Sequence, residues 1–262
     1  MGHKTKMTSK LLSAVWLIVL AGCGGPETIN IFASWPDGKI EALHYEVITY
    51  NPTVNKASNV ITITKSDRDS TLIVSQHLRI NNELLLINTS EKYGTYDLNL
   101  LNSENTFIFK NQLSAFYGVD SMKITARPDG DKLEIVSSDT IKSSTTIPIN
   151  DELVTGIGAT IRSRILNFEI GRTNEYNQVN LINLGGKEFT VEPIRDSVAS
   201  LENVTLQFGS FECYKVHKLM PDIVGYTYYT NDSSHIPVMV EAFDRDTGRR
   251  IMSILLTGLE YR

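Results

Sequence analysis

The side chains that could carry chemistry in this chain are few and scattered. Cys213 and His217 lie four apart within Phe211–Leu219, a stretch that reads as a β-strand. In a strand, positions i and i+4 share a face but sit about 13 Å apart. A nucleophile and its base must be within hydrogen-bond reach, so this pair does not qualify. Cys213 therefore reads as a small buried hydrophobe. His44, His77, His217 and His235 are far apart in sequence, with no H-E-x-x-H and no cysteine pair at metal spacing. No G-x-S-x-G nucleophile elbow is present. Gly156-Ile157-Gly158 begins a G-x-G-x-x-G, but its last position is Ile161 and no buried parallel strand precedes it, so it reads as helix packing. Asp67-Arg68-Asp69 and Asp244-Arg245-Asp246 lack the further oxygen ligands of a calcium loop and read as turn acids. The expectation is a protein without catalytic residues, metal or cofactor.

The other thiol is different. Residues 1–10 carry Lys4, Lys6 and Lys10 and no acid, and Leu11–Gly22 is an apolar run of twelve. Spanning a bilayer takes about 20 residues, so this run reads as a secretory signal rather than a membrane helix. Its end, Leu20-Ala21-Gly22-Cys23, resembles the bacterial lipobox. That resemblance implies a diacylglyceryl thioether on Cys23, cleavage after Gly22 and acylation of the new amino group. Two or three long chains, at roughly 0.8 kcal/mol per buried CH₂, anchor firmly where one would not. Gly24 after the cysteine implies outer-membrane sorting in a two-membrane bacterium, on the periplasmic face. The expected organisation is a leader over 1–22, a lipidated N-terminus and tether over 23–38, and one β domain over 39–262, with a subdivision near 145–150 left open.

Removing the leader leaves 240 residues of the 262, with 22 basic and 30 acidic side chains, a net charge of −8. That balance argues against a sequence-independent nucleic-acid binder. Hydrophobic residues at 41% and charged residues at 21% fit an ordinary globular core and exclude a disordered chain. With Cys23 lipidated, Cys213 is the one remaining cysteine, so no internal disulfide can hold the domain.

The elements that must position any site are mostly strands. Candidates rich in β-branched and aromatic residues run over 44–50, 59–65, 70–80, 84–88, 96–101 and 105–110. Residues 122–127 and 131–137 flank Pro128-Asp129-Gly130, a hairpin signal. Later candidates are 165–171, 177–184, 187–192, 203–208, 211–219, 225–230, 238–244 and 249–257, the last two joined by Arg245-Asp246-Thr247-Gly248. Short connections favour an antiparallel sheet. One segment differs: Leu153, Ile157, Ile161 and Ile165 recur every four residues behind Asn150-Asp151-Glu152, which predicts a helix over 151–164 capped by Asn150. Leu84–Ile87 and Ile254–Leu256 are apolar on both faces and need cover on both sides, from a helix, a second layer or a bound apolar ligand.

The C-terminal half resembles a family of bacterial exported proteins of unknown function, similar in architecture to periplasmic lipoprotein carriers and outer-membrane lipoprotein receptors. The resemblance rests on Gly209-Ser210-Phe211-Glu212-Cys213-Tyr214-Lys215-Val216, Gly225-Tyr226-Thr227-Tyr228-Tyr229, Ile236-Pro237-Val238, Asp246-Thr247-Gly248 and Leu255-Leu256-Thr257, with Asp151, Arg164 and Gly171 before them. It covers 145–262 well and 40–144 in general pattern. It implies a mainly β fold, a curved antiparallel sheet (half-barrel or open barrel) around one helix or an apolar cavity.

Two functions follow as expectations. The first is a non-catalytic envelope lipoprotein that binds a lipid or other apolar ligand in the concave sheet, with Leu153, Ile157 and Ile161 lining or plugging the cavity. Tyr226 and Tyr228, on one face by alternation, would line it too, or would serve as cross-strand packing. The second is a scaffold lipoprotein with a filled core that docks to another envelope protein.

Overall fold

The computed structural model describes residues 30–50, 54–66, 68–80, 85–138, 144–149, 153–179, 181, 189 and 191–262. The alternating stretches become fifteen strands in one curved, unclosed sheet. They are β1 (Ile40–Thr49), β2 (Asn55–Lys65), β3 (Thr71–Ile80), β4 (Leu85–Gly94), β5 (Leu100–Phe109), β6 (Ser121–Asp129), β7 (Lys132–Ser137) and β8 (Ser144–Pro148). Then follow β9 (Leu153–Thr155), β10 (Thr173–Val179), β11 (Val191–Leu206), β12 (Gly209–Leu219), β13 (Ile223–Thr230), β14 (Pro237–Asp244) and β15 (Arg250–Tyr261). Two helices occur among the described residues, α1 (Gln112–Tyr117) and α2 (Gly156–Ser163).

The spatial order is β8-β7-β6-β5-β4-β3-β2-β1-β15-β14-β13-β12-β11-β10-β9. β1 pairs with both β2 and β15, so the N-terminal and C-terminal halves share one sheet. Neighbours are antiparallel except β9 and β10, which run parallel. Period-two burial drives this. Glu41, Leu43, Tyr45 and Val47 turn inward on β1, and Leu85, Ile87, Thr89, Glu91 and Tyr93 do so on β4. The hairpin turn at Pro128-Asp129-Gly130 places Gly130 at φ 62°, a conformation that suits glycine.

Several expectations change. The predicted helix over 151–164 starts later, because Val154 and Thr155 pair with Gln178 and Val179 as strand β9. Thr155, not Asn150, caps α2: its hydroxyl accepts from the Gly158 N–H at 3.0 Å. Asn150, Asp151 and Glu152 lie outside the described residues. The stretch 165–171 is a loop rather than a strand, held by the buried Phe168 ring against Tyr214, Tyr229 and His235. The runs at 187–192 and 203–208 contribute to one 16-residue strand, β11, whose register shifts between Val198 and Ser200. Helix α1 is only six residues long, too short for a periodic signal to stand out, and escaped the sequence reading.

The tether is also shorter than expected at its C-terminal side. Ile31, Phe32 and Trp35 are buried, and the Lys65 ammonium donates to the carbonyls of Ala33 and Trp35 at 3.1 and 2.6 Å. Residues 24–29 lie outside the described ones.

Apolar side chains form two large clusters. One gathers Phe32, Leu43, Ile63, Leu72, Val74, Tyr93, Ile157, Ile161 and Leu256. The other gathers Ile87, Phe107, Ile124, Leu133, Ile135 and Val179. Along β4 and β5 a polar belt separates them: Thr89 opposite Asn105, and Glu91 opposite Ser103.

Candidate functional site

The two free edges of the sheet, β8 and β9, are consecutive in the chain. From Pro148 to Leu153 is five residue steps, a reach of at most about 18 Å. The sheet therefore curls until its edges almost meet, and a seam remains between them.

A cleft of about 490 Å³ opens at this seam. Its walls come from the β4–β5 turn and β5 (Asp97, Asn99, Leu100, Leu101), the β6–β7 turn and β7 (Pro128, Gly130, Leu133), and the ends of β8, β9 and β10 (Ile149, Leu153, Val154, Val179). Apolar side chains make most of this lining. A second recess of about 620 Å³ shares Asp97 and Asn99 with the first and adds Arg162, Asn174, Glu175 and Tyr176. An apolar compartment thus adjoins a polar one. Asp97 is oriented between them by Asn99, whose backbone N–H and side-chain amide donate to its two oxygens at 3.1 and 2.9 Å.

Thr155 forms the inner wall of the cleft and connects it to a buried carboxyl. Its hydroxyl donates to Glu91 Oε2 at 2.6 Å while accepting from Gly158 N–H. The Tyr93 hydroxyl donates to the same Glu91 oxygen, and Ser103 donates to Oε1 at 2.8 Å. Asn105 and Thr89 extend the chain at 3.1 and 2.7 Å. Glu91 is 2% exposed, and the hydroxyls of Thr155, Tyr93 and Ser103 donate to it. Burial pushes its pKa up, and the hydroxyl hydrogen bonds only partly counter that. Burial likewise pushes the Tyr93 hydroxyl up, with the nearby Glu91 adding to it. Gly158 is required by this packing: a Cβ there would meet Tyr93 Oη at 2.6 Å and Thr155 Oγ1 at 2.7 Å.

Of the residues expected to line a cavity, Leu153 lines the cleft. Ile157 and Ile161 sit on α2 and are buried in the main core. Tyr228 is buried in the same core and Tyr226 packs against it. The register places Tyr226 opposite His217 and Tyr228 opposite Lys215. The Tyr226 ring stacks on His217 at 5.2 Å, and the Lys215 ammonium lies 5.0 and 5.6 Å from the two tyrosine rings. Cys23 lies outside the described residues. Cys213 is buried, with its thiol pushed up to about 11 by burial. Among the described residues, no group of three or more His, Cys, Asp or Glu side chains is arranged to hold a metal.

Sequence reasoning missed Glu91, Tyr93, Leu100, Leu133 and Val179. Glu91 did carry a signal: it alternates with Leu85, Ile87 and Tyr93 on one face of a strand. The cleft walls carried none, since they come from separate strands and look like ordinary core residues.

No family profile and no curated protein sequence matches the chain. Solved structures do. A β-barrel-like protein of Domain of Unknown Function DUF1849 from Brucella abortus matches with a TM-score of 0.55 at 9% identity, covering 87% of this chain and 99% of that one. A candidate exported protein with a YmcC-like fold from Bacteroides fragilis gives 0.30 at 13% identity, covering 86% and 96%. A candidate lipoprotein from Parabacteroides distasonis gives 0.32 at 10% identity, with the same coverages. The Brucella match is a likeness of fold.

Proposed function

We propose that this chain is a non-catalytic lipoprotein of the bacterial cell envelope, held by lipid on Cys23, that binds the apolar part of an amphiphile in the seam cleft. The observation that carries the reading is the cleft itself. Its volume of about 490 Å³ lies within the ~300–1,000 Å³ typical of ligand sites, and its walls are mainly apolar. The adjoining recess, with Arg162, Asn174 and Glu175, offers a polar headgroup its own surroundings. The leader and lipobox-like end supply the address, and Gly24 after the cysteine supports an outer-membrane anchor on the periplasmic face.

The test is native mass spectrometry of residues 24–262, exported to the periplasm and purified without detergent, with solvent extraction in parallel. A lipid or acyl species at near-stoichiometric amount supports the reading. A clean apo mass that stays unchanged after lipids are offered contradicts it.

That second outcome favours a scaffold that docks to an envelope partner. The buried Ile157 and Ile161 are the observation on that side, because they fill the main interior with the chain's own side chains.

A further inference from the structure

We infer that the cleft end of the sheet faces the membrane carrying the lipid, with Tyr96 and Leu101 as its contacts; this rests on the reading of Cys23 as the anchor. The argument starts at Asn30, which fixes where the chain enters the fold. Its side-chain amide donates to the carbonyls of Thr95 and Tyr96 at 2.9 and 3.0 Å. Its carbonyl accepts from the backbone of Phe32 and Ala33 at 3.0 and 3.3 Å. The buried Phe32 and Trp35 rings, in edge contact at 5.1 Å, lock the next residues down. The entry point is therefore pinned to the β4–β5 turn.

That turn is also the rim of the cleft, since Asp97, Asn99, Leu100 and Leu101 follow directly and line it. Cys23 is seven residues before Asn30, a reach of at most about 25 Å. Along β5 the ten residues from Leu100 to Phe109 run about 33 Å from this turn to α1 at the other end. The lipid thus emerges at the cleft end and away from the other.

The rim is built for an interface. Tyr96 is 72% exposed and Leu101 is 46% exposed, beside the entry point and the cleft mouth. Tyrosine favours the headgroup level, where its ring and hydroxyl are both accommodated. The nearby charges are largely paired, Asp37 with Lys65 at 3.7 Å and Asp69 with Lys92, and Lys39 lies over the Trp35 and Tyr261 rings. An exposed tyrosine and leucine beside a lysine held on aromatic rings suit the headgroup level of a bilayer. An amphiphile could pass between that bilayer and the cleft without crossing bulk water.

The experiment uses the lipidated protein in phosphatidylcholine vesicles. A bimane is placed at position 96 (Tyr96→Cys) or, at the far end of β5, at the exposed position 112 (Gln112→Cys); the buried Cys213 stays unlabelled. Brominated phosphatidylcholine is then the quencher. The expected result is quenching at position 96 several-fold stronger than at 112. Equal quenching, or stronger quenching at 112, overturns the orientation while leaving the anchor intact. Vesicle flotation reads the anchor separately, and protein that fails to float removes both.

Discussion

The guanidinium of Arg164 meets both carboxylate oxygens of Glu41, at 2.5 and 3.1 Å, across 123 residues of sequence. Both side chains are fully buried. Arg164 follows the last turn of α2, and Glu41 lies on β1, so the pair fastens the helix to the strand where the two halves of the sheet join. Two further donors are used as well: Nε and Nη2 donate to the Ser234 carbonyl at 3.0 and 2.8 Å, and the Phe32 ring lies 5.2 Å from the guanidinium carbon. The Nδ1–H of His235 closes the junction by donating to the Arg164 carbonyl at 3.0 Å.

Removing one partner leaves the other charge buried and alone, which costs about 3–5 kcal/mol. Arg164→Leu and Glu41→Leu are each expected to lower stability by that amount in chemical denaturation. The double variant should lose less than the sum of the two. Additive losses would mean the pair is not coupled.

Two glycines of one helix should behave oppositely. At Gly156 a Cβ would meet nothing nearer than Gln178 Nε2 at 3.9 Å, so Gly156→Ala gains up to about 1 kcal/mol of helix propensity. At Gly158 the added carbon strikes Tyr93 and Thr155, and Gly158→Ala should cost about 1–3 kcal/mol. Thermal melts of the two variants check this, and equal effects would argue against the packing of α2 on Tyr93.

Glu91 should impose a pH dependence of known sign. Its carboxyl binds a proton more tightly in the folded chain than in the unfolded one, because burial raises its pKa. Its effect on stability is therefore most favourable below the unfolded pKa of about 4.3 and declines as pH rises through the higher folded value. Glu91→Gln removes that decline. The difference between the wild-type and variant curves of stability against pH should grow in the variant's favour from about pH 4.3 upward. A flat difference would mean that Glu91 ionises in the fold as readily as in the unfolded chain.

Much of the fold was legible because period-two alternation writes strands directly into the sequence. Residues 44–50, 211–219 and 238–244 became β1, β12 and β14 with small shifts at the ends. The helix was half legible: Ile157 and Ile161 carry the apolar face, but Leu153 belongs to a strand, and its four-residue spacing from Ile157 spans a cap. The loop at 165–171 failed for a tertiary reason, since Phe168 is held by three rings from other segments. The site was the least legible part. Leu100, Leu133, Ile149 and Val179 meet only because the sheet curls far enough to bring β8 near β9.

Cys213 should be inert. With the thiol buried and its pKa pushed up to about 11, little thiolate forms at neutral pH. A maleimide should leave it unmodified in the folded protein and label it fully in denaturant. Rapid labelling of the native protein would reopen a redox or nucleophilic role. The other thiol should behave in the opposite sense: Cys23→Ser is expected to abolish incorporation of labelled fatty acid, and persistent incorporation would remove the lipobox argument.

The central claim is that an acyl chain occupies the seam. Photocrosslinking with a diazirine-bearing fatty acyl phospholipid, followed by peptide mass spectrometry, tests it most directly. Adducts concentrated on Leu100, Leu101, Leu133, Ile149 or Leu153, and lost when Leu101→Lys places a charge in the mouth of a correctly folded protein, are the predicted result. Adducts scattered over the surface, or unchanged in the variant, would contradict it.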